Sequence, residues 1–572
     1  MKIILALGVM ILLAACNNQK TSGNGETSTA GSNTVITRTD TIYLERNSNI
    51  SPANAYSDLF LDSNTISHYE QGEGMNGDKL QAYNSFYNYR NGQFAWFSSE
   101  GFTEQARGFW NLQDKMGYKV SKSLRNAMDT LLENDSLLIS RYDTAIRNTE
   151  MALTNAFLDF YKTDRARTNF AGLAAEQAIP VKKMKTFELA DSLLRRQPDT
   201  GLTSTSDYGR LLQKLKRYIT VTNDGGGLPL KVNARSLKKG GSSAGITSLK
   251  KMLHRTGDYA GTDTSAVFND SLMTAIKVYQ QANGMAPTGL ITDSLVGSVN
   301  MPLEKRIQQI IINLYRTQWM PVSQEPNYIA VNIPDFRLTI FENNTKAFDM
   351  PVAVGKEGAN TTVFTGMLNQ VVFSPYWNIP ASIVQREILP KLKADPKYLQ
   401  SKNMEIVGKN DSLPKIRQKP GKDNALGKVK FLFPNRYDIY FHDTYNKEIF
   451  NKANRALSHG CIRLQDAEKL AVYILRNDKN WTAEKVQMAM NAGKEQYVKV
   501  SPPMPVQIAY YTAWVDADGQ LNFRNDIYGN DIRAGQMLFE ISQAMTLPGK
   551  TDSLQVKKDT GLNRPLLKKS KK

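Results

Sequence analysis

The 572-residue sequence predicts a multidomain α+β protein, helical in its first half and mainly β in its second. Three observations carry that expectation. Apolar residues recur at helix-like spacing from Ala55 to about residue 237. A Gly- and Ser-rich break, KKGGSSAGI at 238–246, sets off a small second helical unit over 243–300. From about residue 326 onward apolar and polar residues alternate, as in half-buried strands. The length suggests roughly three or four domains, and an apolar share of 41% is enough to build real cores.

The chain opens MKIILALGVMILLAAC, with one positive charge at Lys2 and an apolar run from Ile3 to Leu13. This is too short for a membrane span and has the build of a secretory signal over 1–15. Leu13-Ala14-Ala15-Cys16 resembles a bacterial lipobox, which makes Cys16 the expected site of lipid attachment. Asn17 rather than Asp after that cysteine leans towards the outer membrane. Residues 16–54 are rich in Ser, Thr, Asn and Gly, a flexible tether.

Within 55–237 the core faces are read from Leu131, Leu132, Leu137 and Leu138, then Met151, Ala152, Ala156, Phe157 and Phe160. The aromatic stretch YNSFYNYRNGQFAWF, 83–97, reads as packing rather than a sugar-stacking surface. In the second unit Ile246, Leu249 and Leu253 share a helix face, and Leu272, Ala275, Ile276 and Tyr279 another; Gly284 follows the helix end, and Thr292 or Asp293 can cap the next. Over 301–325, a helix from Lys305 to Arg316 leads through a linker to strands at 328–333, 337–341 and 347–354, with a hairpin turn at 342–345. Further strands are expected at 369–374, 428–433 and 437–442. LQDAEKLAVYILR, 464–476, reads as a helix buried along Leu464, Ala467, Ala471 and Ile474. The end of the chain, 546–572, closes LLKKSKK and reads as a solvated basic tail.

The net charge of +18 fits nucleic acid, an anionic membrane surface or an acidic polymer such as cell wall. An exported chain argues against nucleic acid. The two cysteines are Cys16 and Cys461, so a lipidated Cys16 leaves Cys461 unpaired in an oxidising compartment. Cys461 stands in RALSHGCIRL, and as a nucleophile it would gain from the N-terminus of the helix expected to follow. Gly460 allows a tight turn whose N–H groups could hold an oxyanion. Of the four histidines, His442 at a strand end is the expected base, and His459 is expected to shape the loop. Tyr440, two residues before His442, leaves the same strand face, and Trp377 lies at the mouth of the segment after Pro380; both are candidate substrate contacts. One cysteine with one flanking histidine falls short of a zinc set, so no metal and no cofactor are expected.

HDTYNKEIFNKANRALSHGCIRL, 442–464, resembles the signature of L,D-transpeptidases with a YkuD-type catalytic domain. NQVVFSPYWNIP at 369–380 and LGKVKFLFPNRYDIYFHDT at 426–444 are similar to further motifs of the large periplasmic members, so the resemblance spans roughly 50–545. The 243–300 unit is similar to the peptidoglycan-binding module of wall enzymes at Tyr279-Gln280, Gly284, Gly289 and Ile291, with Thr288 for the usual Asp and Thr292 for the usual Gly. The resemblance implies a helical scaffold domain over 55–237, a peptidoglycan-binding module, and a catalytic domain over 326–545 with a capping insertion at 380–422. That insertion independently reads as a mobile lid. The resemblance also implies Cys461 as nucleophile, His442 as base, Ser458, His459 and Gly460 as oxyanion wall, and Arg463 positioning loop or substrate. The expected reaction transfers a tetrapeptide stem, cut after its third residue, to the side-chain amine of a diamino acid, making 3-3 cross-links. Expected partners are peptidoglycan stems and glycan, a membrane through the lipid, and carbapenem-type β-lactams as inhibitors, all in the periplasm. The alternative is an exported cysteine peptidase or amidase that trims stems.

Overall fold

Helix caps mark out the first half of the chain in the computed structural model. It describes residues 44–540 except 133–138, 165–169, 171–172, 196–205, 227–228, 232–238, 320–324 and 411–412. Cys16, the signal, most of the tether, Leu137, Leu138 and the 546–572 tail lie outside the described residues. Asp62, Thr103 and Ser206 each accept a backbone N–H with their side chains at the starts of helices Ser63–Gly72, Glu104–Lys115 and Asp207–Asn223. Together with Gly77–Tyr89, Lys122–Leu132, Thr144–Asp164 and Thr186–Arg195 these helices enclose an aromatic core. Tyr83, Phe86, Tyr87, Phe94, Trp96 and Phe97 are all buried in it, so the aromatic stretch is packing. Trp96 lies 5.4 Å from both Phe109 and Phe157, the latter edge-on.

The small unit, helices Ala244–Thr256, Asp270–Ala282 and Asp293–Val299, has its own core of Ile246, Leu249, Leu272, Ile276 and Leu295. Thr292, not Asp293, is the cap, accepting from Leu295 N. Helix Leu303–Gln318 then returns to the first core. The hairpin Ala513–Val515/Leu521–Phe523 and helix Asn530–Leu538 pack there as well, so the end of the expected 326–545 segment is divided between two cores. No described helix is long and apolar enough to cross a membrane.

The β half is a nine-stranded sheet that closes on itself. Its order is Ala456–Ser458, Thr345–Gly355, Ile462–Leu464, Phe441–His442, Val429–Leu432, Phe364–Phe373, Gln496–Ala509, Tyr328–Asn332, Arg337–Glu342, and the last strand pairs back onto Thr345–Gly355. Inward residues such as Ile329, Val331, Leu338, Ile340, Phe431, Phe441 and Ile462 fill it. Two expectations change. The strand expected at 437–442 is only Phe441–His442, and Leu464 belongs to strand Ile462–Leu464, so the helix after the cysteine begins at Ala467 with Asp466 as its cap. Residues 377–418 form a separate cap, with the three-stranded sheet Trp377–Asn378, Leu413–Gln418, Met404–Asn410 and a core of Ile379, Ile383, Val384, Ile388 and Ile416.

Candidate active site

Strand register alone brings the site together. Phe441 pairs in parallel with Ile462 and His442 with Arg463. Phe441 and Ile462 point into the barrel core. Because side chains alternate along a strand, Tyr440, His442, Cys461 and Arg463 leave by the opposite, outer face. Lys430 is the partner of His442 on the other side and shares that face.

His442 is 4% exposed. Its Nδ1 lies 2.6 Å from the Asp443 carbonyl oxygen, which can only accept, so Nδ1 carries the hydrogen and Nε2 is left with a lone pair. The Asp443 carboxylate is fixed in turn by Lys447 Nζ at 2.6 Å and by Lys428 N at 2.9 Å. Burial, with Arg463 and Lys447 nearby, depresses the imidazole to about 3. Burial also pushes the Cys461 thiol up to about 11, opposed by the neighbouring Tyr440 and by the Arg463 charge, and Sγ donates to the Asp438 carbonyl at 3.5 Å. The two groups therefore rest as neutral thiol and neutral imidazole. The expected helix-end stabilisation of a thiolate does not apply, because strand Ile462–Leu464 separates Cys461 from the helix.

The turn before the cysteine is tied internally. Ser458 Oγ donates to the Cys461 carbonyl at 2.6 Å and accepts from Gly460 N at 3.1 Å. Gly460 has φ of +115°, a conformation that excludes side chains, and its N–H is committed to Ser458 rather than free for an oxyanion. Its carbonyl accepts from Thr361 Oγ1 at 2.7 Å. Thr361 N donates to Tyr528 Oη, which itself donates to Gly355 O. His459 projects outward and pairs with Glu387 of the cap at 2.7 Å. Tyr440 lies with its ring 5.8 Å from that of His442, so the two meet although Tyr440 precedes the strand. Arg463 Nε is buried with no hydrogen-bond partner among the described residues. Trp377 is half-buried against the cap's own core, which gives it a packing role at the cap root.

Sequence reasoning missed Asp443, Thr361, Tyr528 and Glu387. Asp443 alone carried a local signal, as the neighbour of His442; the others reach the site through contacts distant in sequence.

Three family models match the chain: "L,D-transpeptidase catalytic domain" over residues 326–488, "Scaffold domain" over 81–216 and "Putative peptidoglycan binding domain" over 242–296. A Haemophilus influenzae protein named "Putative L,D-transpeptidase" is 32% identical over 240 residues, 39% of this chain and 48% of that protein, so the chain spans about half the length of the curated relative it matches. Among solved structures, an L,D-transpeptidase from Stackebrandtia nassauensis is 11% identical over 49% of this chain and 97% of that one, with a TM-score of 0.21. L,D-transpeptidase 3 from Mycobacterium tuberculosis is 14% identical over 32% and 61%, with a TM-score of 0.18. The assignment rests on the family matches, not on these superpositions. Residues 326–488 are a YkuD-type L,D-transpeptidase catalytic domain, and the chain joins it to a scaffold domain and a peptidoglycan-binding domain.

Proposed function

We propose that the protein is a peptidoglycan L,D-transpeptidase acting through a Cys461 acyl-enzyme. The observation that carries the reading is the shared outer face: a thiol, a neighbouring phenol and an imidazole whose Nε2 has the lone pair stand on, or just before, adjacent strands of the matched domain. In the first step His442 Nε2 takes the Cys461 proton as Sγ attacks the carbonyl of the stem's third residue. The C–S bond forms, the C–N bond to the terminal D-alanine breaks, and the proton passes from His442 to the leaving amine. Tyr440 supports the sulfur while it carries charge, and Arg463, with an unpartnered guanidinium nitrogen, suits a carboxylate of the stem. In the second step an amine of a neighbouring stem takes the acyl group and frees the thiol, giving a 3-3 cross-link. The small helical module holds the enzyme to the glycan, and Cys16 carries lipid that anchors the chain in the periplasm, at the outer membrane. Carbapenem-type β-lactams acylate Cys461.

The test is mass analysis of muropeptides. Incubation with the full chain should yield joined stems, and Cys461→Ala should yield none and should take no carbapenem mass. Joined stems from the Cys461→Ala protein would overturn the mechanism. Stems shortened but never joined by the unsubstituted protein would favour a cysteine peptidase.

A further inference from the structure

His459 and Glu387 meet where the cap faces the cysteine turn. His459 Nε2 lies 2.7 Å from Glu387 Oε1, with the side chains 40% and 41% exposed. A carboxylate accepts, so Nε2 carries the hydrogen and Nδ1 has the lone pair. His459 is two residues from Cys461 in the turn closed by Ser458 Oγ on the Cys461 carbonyl. Glu387 comes from a π-helical turn, Val384–Ile388, set between helical segments Ala381–Ile383 and Leu389–Ala394. Pro390 sits in the first turn of the last segment. A proline there has no N–H for the carbonyl four residues back and clashes with it, which accounts for the wide turn.

The second step of the proposed reaction needs an amine that is an ammonium at neutral pH, with a pKa of about 10. That group must reach the acyl-enzyme as a cation and arrive as a neutral nucleophile. The His442 side is hostile to it, since burial, Arg463 and Lys447 all disfavour positive charge there. The exposed cap side instead presents a carboxylate, with an imidazole on the cysteine turn.

We propose that Glu387 and His459 form the acceptor site, in which the carboxylate docks a cationic primary amine and His459 Nδ1 takes its first proton. The neutral nitrogen attacks the thioester carbonyl; the C–N bond forms and the C–S bond breaks. The second proton moves from that nitrogen through His442 Nε2 to the departing sulfur. The first leaves His459 for solvent, to which the pair is open, so one proton is released per amide made. The proposal rests on the transpeptidase reading and names its acceptor class.

Asp438 is the other acid at the cysteine, exposed, with its carbonyl accepting from Cys461 Sγ at 3.5 Å. The experiment compares Glu387→Gln, Glu387→Asp and Asp438→Asn in the full chain, acylated with a tetrapeptide stem and offered either a primary alkylamine or hydroxylamine, which is uncharged at neutral pH. Transfer is read as a ratio to each protein's own hydrolysis. Glu387→Gln should lose on the order of tenfold in transfer to the alkylamine and keep transfer to hydroxylamine, and Glu387→Asp should recover part of the loss. Equal losses with both nucleophiles would make the pair a mere latch for the cap and overturn the proposal. So would no loss with either, or a charge-specific loss that follows Asp438→Asn instead. If the unsubstituted protein forms no acyl-enzyme, the transpeptidase reading itself falls, which is a separate result.

Discussion

Burial leaves both partners at Cys461 uncharged, the thiol pushed up to about 11 and the imidazole down to about 3. In the proposed reaction each then needs the other: the thiol would be a poor nucleophile until Nε2 removes its proton, and the imidazole is a free base throughout ordinary pH. Acylation of Cys461 should accordingly be flat with pH between roughly 5 and 9, without an ascending limb near the ordinary histidine value. Stopped-flow acylation across that range checks it, and a limb centred near 6.5 would mean that His442 titrates in contact with water. The same shifts act on stability. His442 binds its proton less readily folded than unfolded, so its contribution is present above about 6.5 and is lost as pH falls toward 3. At this scale the sequence was informative where residue types are scarce. Two cysteines and four histidines make Cys461, His442 and His459 visible without any structure. Asp443 acts through its main-chain carbonyl, and Thr361 and Tyr528 through bonds spanning some hundred residues or more, so no periodicity could reveal them.

Between residue and domain, the hairpin and helix periods were legible and the short pieces were not. Asn343 and Asn344, both at positive φ, form the turn the sequence marks at 342–345, because Asn tolerates that region. Leu464 was misplaced onto a helix because a three-residue apolar strand leading into a helix has the same local pattern as one longer helix. The cap is the element whose sequence meaning was least visible. Its core of Ile379, Ile383, Val384, Ile388 and Ile416 spans two helical turns and a hairpin, and the π-turn that aims Glu387 is set by one proline. Pro390→Ala restores the missing N–H, allows the segment to relax toward a regular α-helix and swings Glu387 away from His459. It should reproduce the amine-specific transfer defect of Glu387→Gln without lowering the melting temperature. A Pro390→Ala protein with unchanged transfer would show that something other than the proline sets the turn.

Across the whole molecule, the described residues fall in one compact unit, and Arg316 on the return helix is a joint within it. Its guanidinium donates to Glu104 at 2.6 Å and to Asp531 at 2.6 Å, with its side chain 9% exposed. Those partners hold it charged, while burial raises Asp531 to about 6. From Asp531 the contacts continue to the site. Asp531 N donates to Asp526, whose carboxylate accepts from Tyr510 Oη; Tyr510 Oη accepts from Tyr528 N, and the Tyr528 hydroxyl reaches Gly355 and Thr361 behind Gly460. The scaffold thus backs the cysteine turn through the 510–531 segment, whose Tyr510 and Tyr528 sit in the barrel core while Ala513, Val515, Leu521 and Phe523 pack among the helices. Removing one partner of a buried ion pair leaves the other charge uncompensated, at a cost of about 3–5 kcal/mol. Arg316→Met should therefore lower the denaturation midpoint of the scaffold and the barrel together. Far-UV circular dichroism, dominated by the helices, reports the first; reactivity of the Cys461 thiol reports the second. Both transitions should coincide in the unsubstituted chain and move in parallel in the variant. A helical transition that shifts while Cys461 keeps its original protection would mean that the barrel stands without the scaffold, and that the contacts behind Gly460 are not needed to hold the turn.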